Sequence, residues 1–298
     1  MQAVAVVDEI TDVFRSAGAR GYVHARLVDD AGVEVGLDAD TPVVTASVFK
    51  VPVLLELTRQ AAAGQLDLTD RVRVPASRRT TGPTGLSVML DDVEVSWRDL
   101  AFFMMSVSDN TATDVVMERV GVDNIAATLA SLGLKETAVD QDCAALLAEL
   151  ATDLGIDLES EEPVAFTDLD PAKVAAARAL NAAHTNRTTP REMTELLSLI
   201  WADRAGPADA CAEARRIMAL QVWPHRLSSG FPDGVAVAGK TGTLPGIRNE
   251  VGVVAYPDGG RYAVAVFTVA DSLASQQPAI DAAIGRAARL AVDALRSA

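Results

Sequence analysis

The stretch "TASVFKVPVLLEL", residues 45–57, decides how the chain is read. Val48, Phe49, Val51, Leu54, Leu55 and Leu57 at helical spacing make a helix that is apolar nearly all round, and such a helix is buried. Lys50 stands in the middle of it. Ser47, three positions earlier, shares a helix face with Lys50, so the amine is expected to reach the serine hydroxyl. Burial disfavours the charged form of a lysine. A neutral Lys50 would then be a base beside a serine, close to the free N–H groups and positive dipole end of a helix start.

Working outward, residues 3–17 carry helix spacing that stops at Gly18. "YVHARLVDD" and "GVEVGL" alternate on either side of a short turn at Asp29 to Gly32, a hairpin pattern. From about residue 45 to about 220 the chain is rich in Ala and Leu and helical in character. Strands return as "VAVAGKTG", "EVGVVAY" and "YAVAVFTVA", the last two joined by the turn "PDGGR". An amphipathic helix follows from about Gln276 to Ser297, with Ile280, Ile284, Leu290 and Leu295 on one face. Strands at both ends with helices between cannot make two sequential domains. The expected architecture is α+β: an αβα sandwich with an antiparallel sheet, built from residues 1–44 and 221–298 and covered by the terminal helices, with an all-α domain, residues 45–220, inserted. A cleft is expected where the two lobes meet. The acidic segment Glu159 to Glu162, ended by Pro163, reads as a loop.

The 298 residues, 49% of them hydrophobic, suffice for a sizeable core. A net charge of −15 and a sequence pI of about 4.6 argue against a nucleic-acid partner, since a phosphate backbone would be repelled. No apolar run approaches the roughly 20 residues of a membrane span. The start, "MQAVAVVDEITDVF", has no cationic leader and reads as a helix, which leaves the compartment open between cytoplasm and export with a leader removed. Cys143 and Cys211 are expected as free buried thiols. His24, His184 and His225 have no carboxylate or cysteine at ligand spacing, so no metal and no cofactor is expected. A monomer is expected.

Two further stretches join Ser47 and Lys50. "MMSVSDNTATDVV" sets Ser108, Asp109 and Asn110 at the end of an apolar run before a new helix. "VAVAGKTGT" sets Lys240, Thr241, Gly242 and Thr243 at the end of a strand. S-x-x-K, S-D-N and K-T-G in this order are the signature of the penicillin-recognising serine enzymes. Over nearly its whole length the chain resembles the class A β-lactamases and their penicillin-binding relatives. "GPTGLSVM" is similar to the family's glycine-containing loop at the cleft edge. In "ALN…RTTPREM", Thr189, Pro190 and Glu192 also make a sound helix start.

The resemblance implies roles. Ser47 would attack a lactam or peptide-like carbonyl and Lys50 would take its proton. Ser108 would pass that proton to the departing nitrogen, and Asn110 would hold Lys50 and the substrate amide. Lys240, with Thr241 and Thr243, would receive the substrate carboxylate, and the N–H groups of Ser47 and Thr243 would form the oxyanion hole. Gly242 and Asn181 belong to the same substrate-binding set. Arg248, ahead of Arg226, is a further candidate carboxylate anchor.

One departure stands out. Class A enzymes activate the deacylating water with a glutamate four residues before the asparagine of "ELN"; here the stretch is "VAAARALN" and the position is Ala177. No carboxylate falls between Asp170 and Glu192. Asp168, Asp170 or His184 could approach instead, or Lys50 could serve both half-reactions. Three readings stay open: a β-lactam hydrolase with slow turnover, an esterase or D-amino-acid peptidase using the same serine, and a protein that is acylated by penicillin and stays so.

Overall fold

Alternation along the last strand explains the layering. In "RYAVAVFTVA" both sets of alternate residues are apolar, so both faces of this strand are buried and the sheet must be covered on each side. Val264 and Val266 pack with Ile10, Phe14, Ile284 and Ala288 on one face. Ala263, Ala265 and Phe267 pack with Met193, Leu196 and Leu197 on the other.

The computed structural model describes residues 2–30, 32–157 and 165–298. Along the chain lie α1 (Gln2–Ala17), β1 (Ala19–Leu27), β2 (Glu34–Leu37) and β3 (Val43–Val44), followed by α2 (Lys50–Ala62). Next come β4 (Arg71–Val74), β5 (Val93–Ser96), α3 (Trp97–Ser106), α4 (Asn110–Val120), α5 (Val122–Ser131), α6 (Cys143–Leu154) and α7 (Pro171–Ala176). The chain continues through β6 (Arg187–Thr188), α8 (Pro190–Trp201), α9 (Ala208–Met218), β7 (Ala236–Leu244), β8 (Ile247–Ala255), β9 (Arg261–Ala270) and α10 (Pro278–Arg296). The acidic segment expected as a loop, Glu159 to Glu162 with Pro163, lies outside the described residues, as does Ala31 of the Asp29 to Gly32 turn.

The fold is α+β with an antiparallel sheet in the order β2-β1-β9-β8-β7. N-terminal and C-terminal strands are therefore neighbours, β1 pairing β9 from Ala19↔Ala270 to Leu27↔Tyr262. The terminal helices α1 and α10 cover one face. The other is covered by α8, a helix from the middle of the chain. Its start is as the sequence suggests: Thr189 Oγ1 accepts from Glu192 N at 3.1 Å and Pro190 opens the helix.

α2 is enclosed by α3, α4, α5 and α9, so its apolar residues are buried on every side and Lys50 with them. Both cysteines are free and buried. His24 is fully buried, with Nδ1 2.6 Å from Thr194 Oγ1 and Nε2 3.1 Å from the Arg191 guanidinium and 3.2 Å from Glu34 Oε2, and burial, helped by the Arg191 charge, lowers its pKa. His184 and His225 are exposed.

Candidate active site

Two strained residues aim the two serines. Ala46 has φ +46° and Ser108 has φ +62°, a region that non-glycine residues enter at a cost of about 1–3 kcal/mol. Ala46 turns the chain from β3 into a short 3₁₀ segment, Ala46–Phe49, that carries Ser47 and runs straight into α2. The turn is anchored from both sides. Thr45 N donates to Asn186 O at 3.1 Å, and Asn249 Nδ2, from β8, donates to Val44 O at 2.9 Å and Thr45 O at 3.3 Å.

β7 then lies against this turn at Gly242. A Cβ there would stand 2.6 Å from Thr45 O and 3.2 Å from Ser47 N, so only glycine lets the strand come this close. Ser47 is partly exposed, and its hydroxyl makes no hydrogen bond among the described residues.

Lys50 is wholly buried and its Nζ donates to Ser108 O (2.8 Å), Ser108 Oγ (3.3 Å) and Asn110 Oδ1 (3.0 Å). The expected hydrogen bond to Ser47 is not formed. The carbonyl and amide oxygens of the turn into α4 are fixed acceptors, and together with Ser108 Oγ they take all three donors an ammonium has. Lys240, also wholly buried, donates to Ser108 Oγ and to Thr241 O, each at 2.9 Å. Ser108 Oγ is thus the single atom that both amines touch. Burial pushes both lysines below the ordinary value, and for Lys240 the nearby Lys50 charge pushes the same way. Two like charges sharing one oxygen titrate as a pair.

The loop before α4 is tied to these residues. Asp109 caps α4 through Ala112 N (3.1 Å) and also accepts from Ser87 Oγ (3.1 Å) and Leu86 N. Asn110 Nδ2 donates to Thr81 O at 2.8 Å, and Thr84 Oγ1 to Val107 O at 2.8 Å, so the "GPTGLSVM" loop is laced to the Ser108 turn.

β7 is an edge strand, and its outward N–H groups define the other wall. Thr241 N donates sideways to Gln221 Oε1 at 2.9 Å, away from β8. Since a strand repeats every two residues, the N–H of Thr243 points off the same free edge. Gln221 is held in turn by Glu250, a fully buried carboxyl that also accepts from Leu227 N at 2.6 Å. Burial raises Glu250 to about 7.

The two arginines exchange places relative to expectation. Arg226 reaches the site: Nη2 donates to Thr243 Oγ1 (2.9 Å), Nη1 to Gly242 O (3.1 Å) and Asn249 O (2.8 Å), and Nε to Asp281 (2.8 Å). Arg248, on the strand beside it, turns to Asp281 (3.1 Å) and to Ser275 O. Thr243 and Arg248 are direct cross-strand partners in the β7–β8 register, so the arginine is near in the ladder yet points off the site.

Asn181 is exposed and folded on itself, Oδ1 accepting from Ala183 N at 3.0 Å, and it makes no bond to the lysine pair. Ala177 is 1% exposed and belongs to a small cluster with Leu146, Leu150 and Val174 under α6. Asp170 caps α7 through Ala172 N at 2.9 Å, and Asp168 and His184 are exposed; none of them bonds to Ser47, Lys50 or Ser108. Sequence reasoning missed Asn249, Gln221, Glu250 and Asp281. For Asn249 and Glu250 a weak signal was present in "RNE", three polar residues inside an otherwise apolar strand; Gln221 and Asp281 had none.

Comparison with known proteins gives the family and the fold. A family model described as the beta-lactamase enzyme family matches residues 5–295. The chain is 31% identical over 323 residues to the beta-lactamase regulatory protein BlaB of Streptomyces cacaoi, covering 99% of each chain. It is 28% identical over 242 residues to the extended-spectrum beta-lactamase PER-1 of Pseudomonas aeruginosa, covering 78% of this chain and 68% of the relative. The crystal structure of a beta-lactamase from Sphaerobacter thermophilus superposes with a TM-score of 0.78 at 24% identity, covering 99% of this chain and 98% of that one.

Proposed function

The chain belongs to the beta-lactamase enzyme family, and on that footing we propose that it is a serine acylation protein whose Ser47 opens β-lactams. The observation that carries the reading is the convergence of Lys50 and Lys240 on Ser108 Oγ. Ser47 Oγ attacks the lactam carbonyl. Its proton passes to Lys50, then through the Ser108 hydroxyl to the lactam nitrogen as the C–N bond breaks. Lys50 must be neutral when it takes that proton, and the Ser108 hydroxyl it shares with Lys240 is the route by which the proton it holds at rest is moved off it. Lys240 then keeps the positive charge next to Thr241 and Thr243, where a substrate carboxylate would lie, with Arg226 on the Thr243 hydroxyl behind it. The N–H groups of Ser47 and Thr243 flank Gly242 and serve as the oxyanion hole, each such donor contributing about 2.7–4 kcal/mol in comparable sites.

On this reading the αβ unit of residues 1–44 and 221–298 supplies Lys240 to Thr243, and the inserted span 45–220 supplies Ser47, Lys50, Ser108 and Asn110. On this reading one chain carries the whole site, so a monomer suffices for the reaction.

Hydrolysis of the resulting ester is slow. Among the described residues, Asp109 and Asp114 are the carboxylates whose charges Lys50 feels, and both are spent on backbone and hydroxyl donors. The same observation favours a second reading, a protein that is acylated and signals rather than turns over, in keeping with the regulatory name of the Streptomyces cacaoi relative. Nitrocefin turnover and intact mass after benzylpenicillin separate the two. Turnover above a Ser47→Ala control with a transient adduct supports the hydrolase; an adduct lasting hours without turnover supports the sensor. No adduct and no turnover contradicts both, and consumption of an acyl ester or a D-Ala-D-Ala peptide would then mark the serine as serving another substrate.

A further inference from the structure

Ser47 N and Thr243 N come from separate segments, the turn before α2 and the strand β7, so their spacing has to be set by whatever ties the two together. One buried side chain on the neighbouring strand makes that tie. Asn249 of β8 is fully buried and is the direct cross-strand partner of Gly242. Its backbone oxygen accepts from Arg226 Nη1 at 2.8 Å, and the same nitrogen donates to Gly242 O at 3.1 Å, which locks the two strands at this pair. The side chain reaches out of the strand to the serine turn. Nδ2 donates to Val44 O at 2.9 Å and to Thr45 O at 3.3 Å, while Oδ1 accepts from Thr268 N of β9 at 3.0 Å. Both amide hydrogens and the amide oxygen are therefore used. Turned over, the amide would set its oxygen against two carbonyl oxygens and its NH₂ against a backbone N–H.

Thr45 O is met from two directions. Asn249 draws it toward the sheet, and β7 stops it at Gly242, where a Cβ would stand 2.6 Å from that oxygen. Ser47 N lies 3.2 Å from the same Cβ position, and Thr243 N is the next N–H along the strand. A shift of the turn against β8 thus changes the gap between the two N–H groups directly.

We infer that Asn249 is a positioning residue for acylation, its amide setting the spacing of the Ser47 and Thr243 N–H groups without touching substrate. The inference rests on the acylation of Ser47 proposed above. Negative charge reaches those N–H groups only as Ser47 Oγ bonds to the carbonyl carbon and the C=O electron pair moves onto oxygen. Loss of the amide therefore slows bond formation and leaves the preceding complex nearly unchanged.

The test compares the wild type with Asn249→Asp and Asn249→Ala, scoring each variant that melts cooperatively. Asn249→Asp keeps the shape and the acceptor for Thr268 N, and has no N–H for Val44 O and Thr45 O. The concentration dependence of benzylpenicillin labelling gives the Kd of the initial complex and the acylation rate constant separately. Phenylboronic acid, whose boron bonds to Ser47 Oγ and carries a negatively charged oxygen like that of the tetrahedral intermediate, is measured by its protection against labelling. The expected result is an acylation rate constant lower by about 10²-fold, phenylboronic acid affinity lower by a similar factor, and a Kd of the initial complex within a few-fold of wild type. A folded variant that acylates at the wild-type rate overturns the inference while leaving Ser47 acylation standing. So does a slowed variant whose phenylboronic acid affinity is unchanged, or one whose initial complex is weakened as much as its rate. Failure of both variants to melt cooperatively also overturns it, because the amide would then serve folding first. If the wild type itself forms no adduct, the acylation reading fails and the inference falls with it.

Discussion

Lys240 Nζ lies 2.9 Å from Ser108 Oγ, and that oxygen is the same one Lys50 approaches from the other side. The relationship joins the two halves of the polypeptide at one hydroxyl. A lysine early in the chain and one late in the chain can then hold one proton fewer than two separate lysines would.

The pH dependence of acylation follows from that sharing. At low pH both amines carry protons and Lys50 cannot accept one from Ser47, so the rate rises as pH rises through the first loss from the pair. At high pH the second loss removes the charge that receives a substrate carboxylate, and the rate falls. Because burial lowers both groups, the bell in the benzylpenicillin labelling rate is expected to have both limbs below the ordinary lysine value. A rate that stays flat until the ordinary lysine range would contradict it.

Lys50→Ala is expected to abolish labelling while unfolding stays cooperative, at a stability loss of about 0.5–3 kcal/mol, as for other single core truncations. Removing a general base typically costs about 10²–10⁴-fold. Labelling at the wild-type rate would remove Lys50 from that role.

Gly242→Ala tests the approach of β7 to the serine turn. The added Cβ would meet Thr45 O at 2.6 Å and Ser47 N at 3.2 Å, so the strand must move. The expected outcome is a stability loss of about 1–3 kcal/mol and a labelling rate down about 10²-fold, the cost of a displacement near 1 Å. Wild-type labelling in this variant would mean that the two segments need not touch.

Glu250 makes stability itself depend on pH. Its carboxyl is raised from the usual 4.5 to about 7 by burial, so between those values the folded protein binds more protons than the unfolded chain. Stability is therefore expected to fall as pH rises through that window, with the full cost, on the order of a few kcal/mol, present above about pH 7. Glu250→Gln removes this contribution. Melting temperatures at pH 5 and pH 8 should differ less in the variant than in the wild type; an unchanged difference would show that Glu250 titrates normally.

The elements could be read from the sequence because each rests on local periodicity. The hairpin, the buried α2 and the Thr189–Pro190 helix start were legible in that way, while the three catalytic-type motifs were legible only through their resemblance to a family signature. What spacing could not supply was the direction of a side chain across elements. Ser47 and Lys50 share a face at helical spacing, yet Lys50 bonds to Ser108 and Asn110, because acceptors from α4 compete for its donors. Arg248 sits opposite Thr243 in the ladder, yet its guanidinium bonds to Asp281 and Ser275 O, and it is Arg226, also paired with Asp281, that donates to Thr243 Oγ1. The terminal helices were expected to cover the sheet, and they cover one face. The second face is filled by α8, whose apolar stripe looked no different from those of its helical neighbours.

The central claim is that Ser47, served by Lys50 through Ser108, is the atom acylated by a β-lactam. Its most direct test is peptide mapping by tandem mass spectrometry after brief exposure to benzylpenicillin. The predicted result is one penicilloyl group, on the peptide containing Ser47 and on that side chain, absent from Ser47→Ala. An adduct on another residue, or one that persists in Ser47→Ala, would contradict the account.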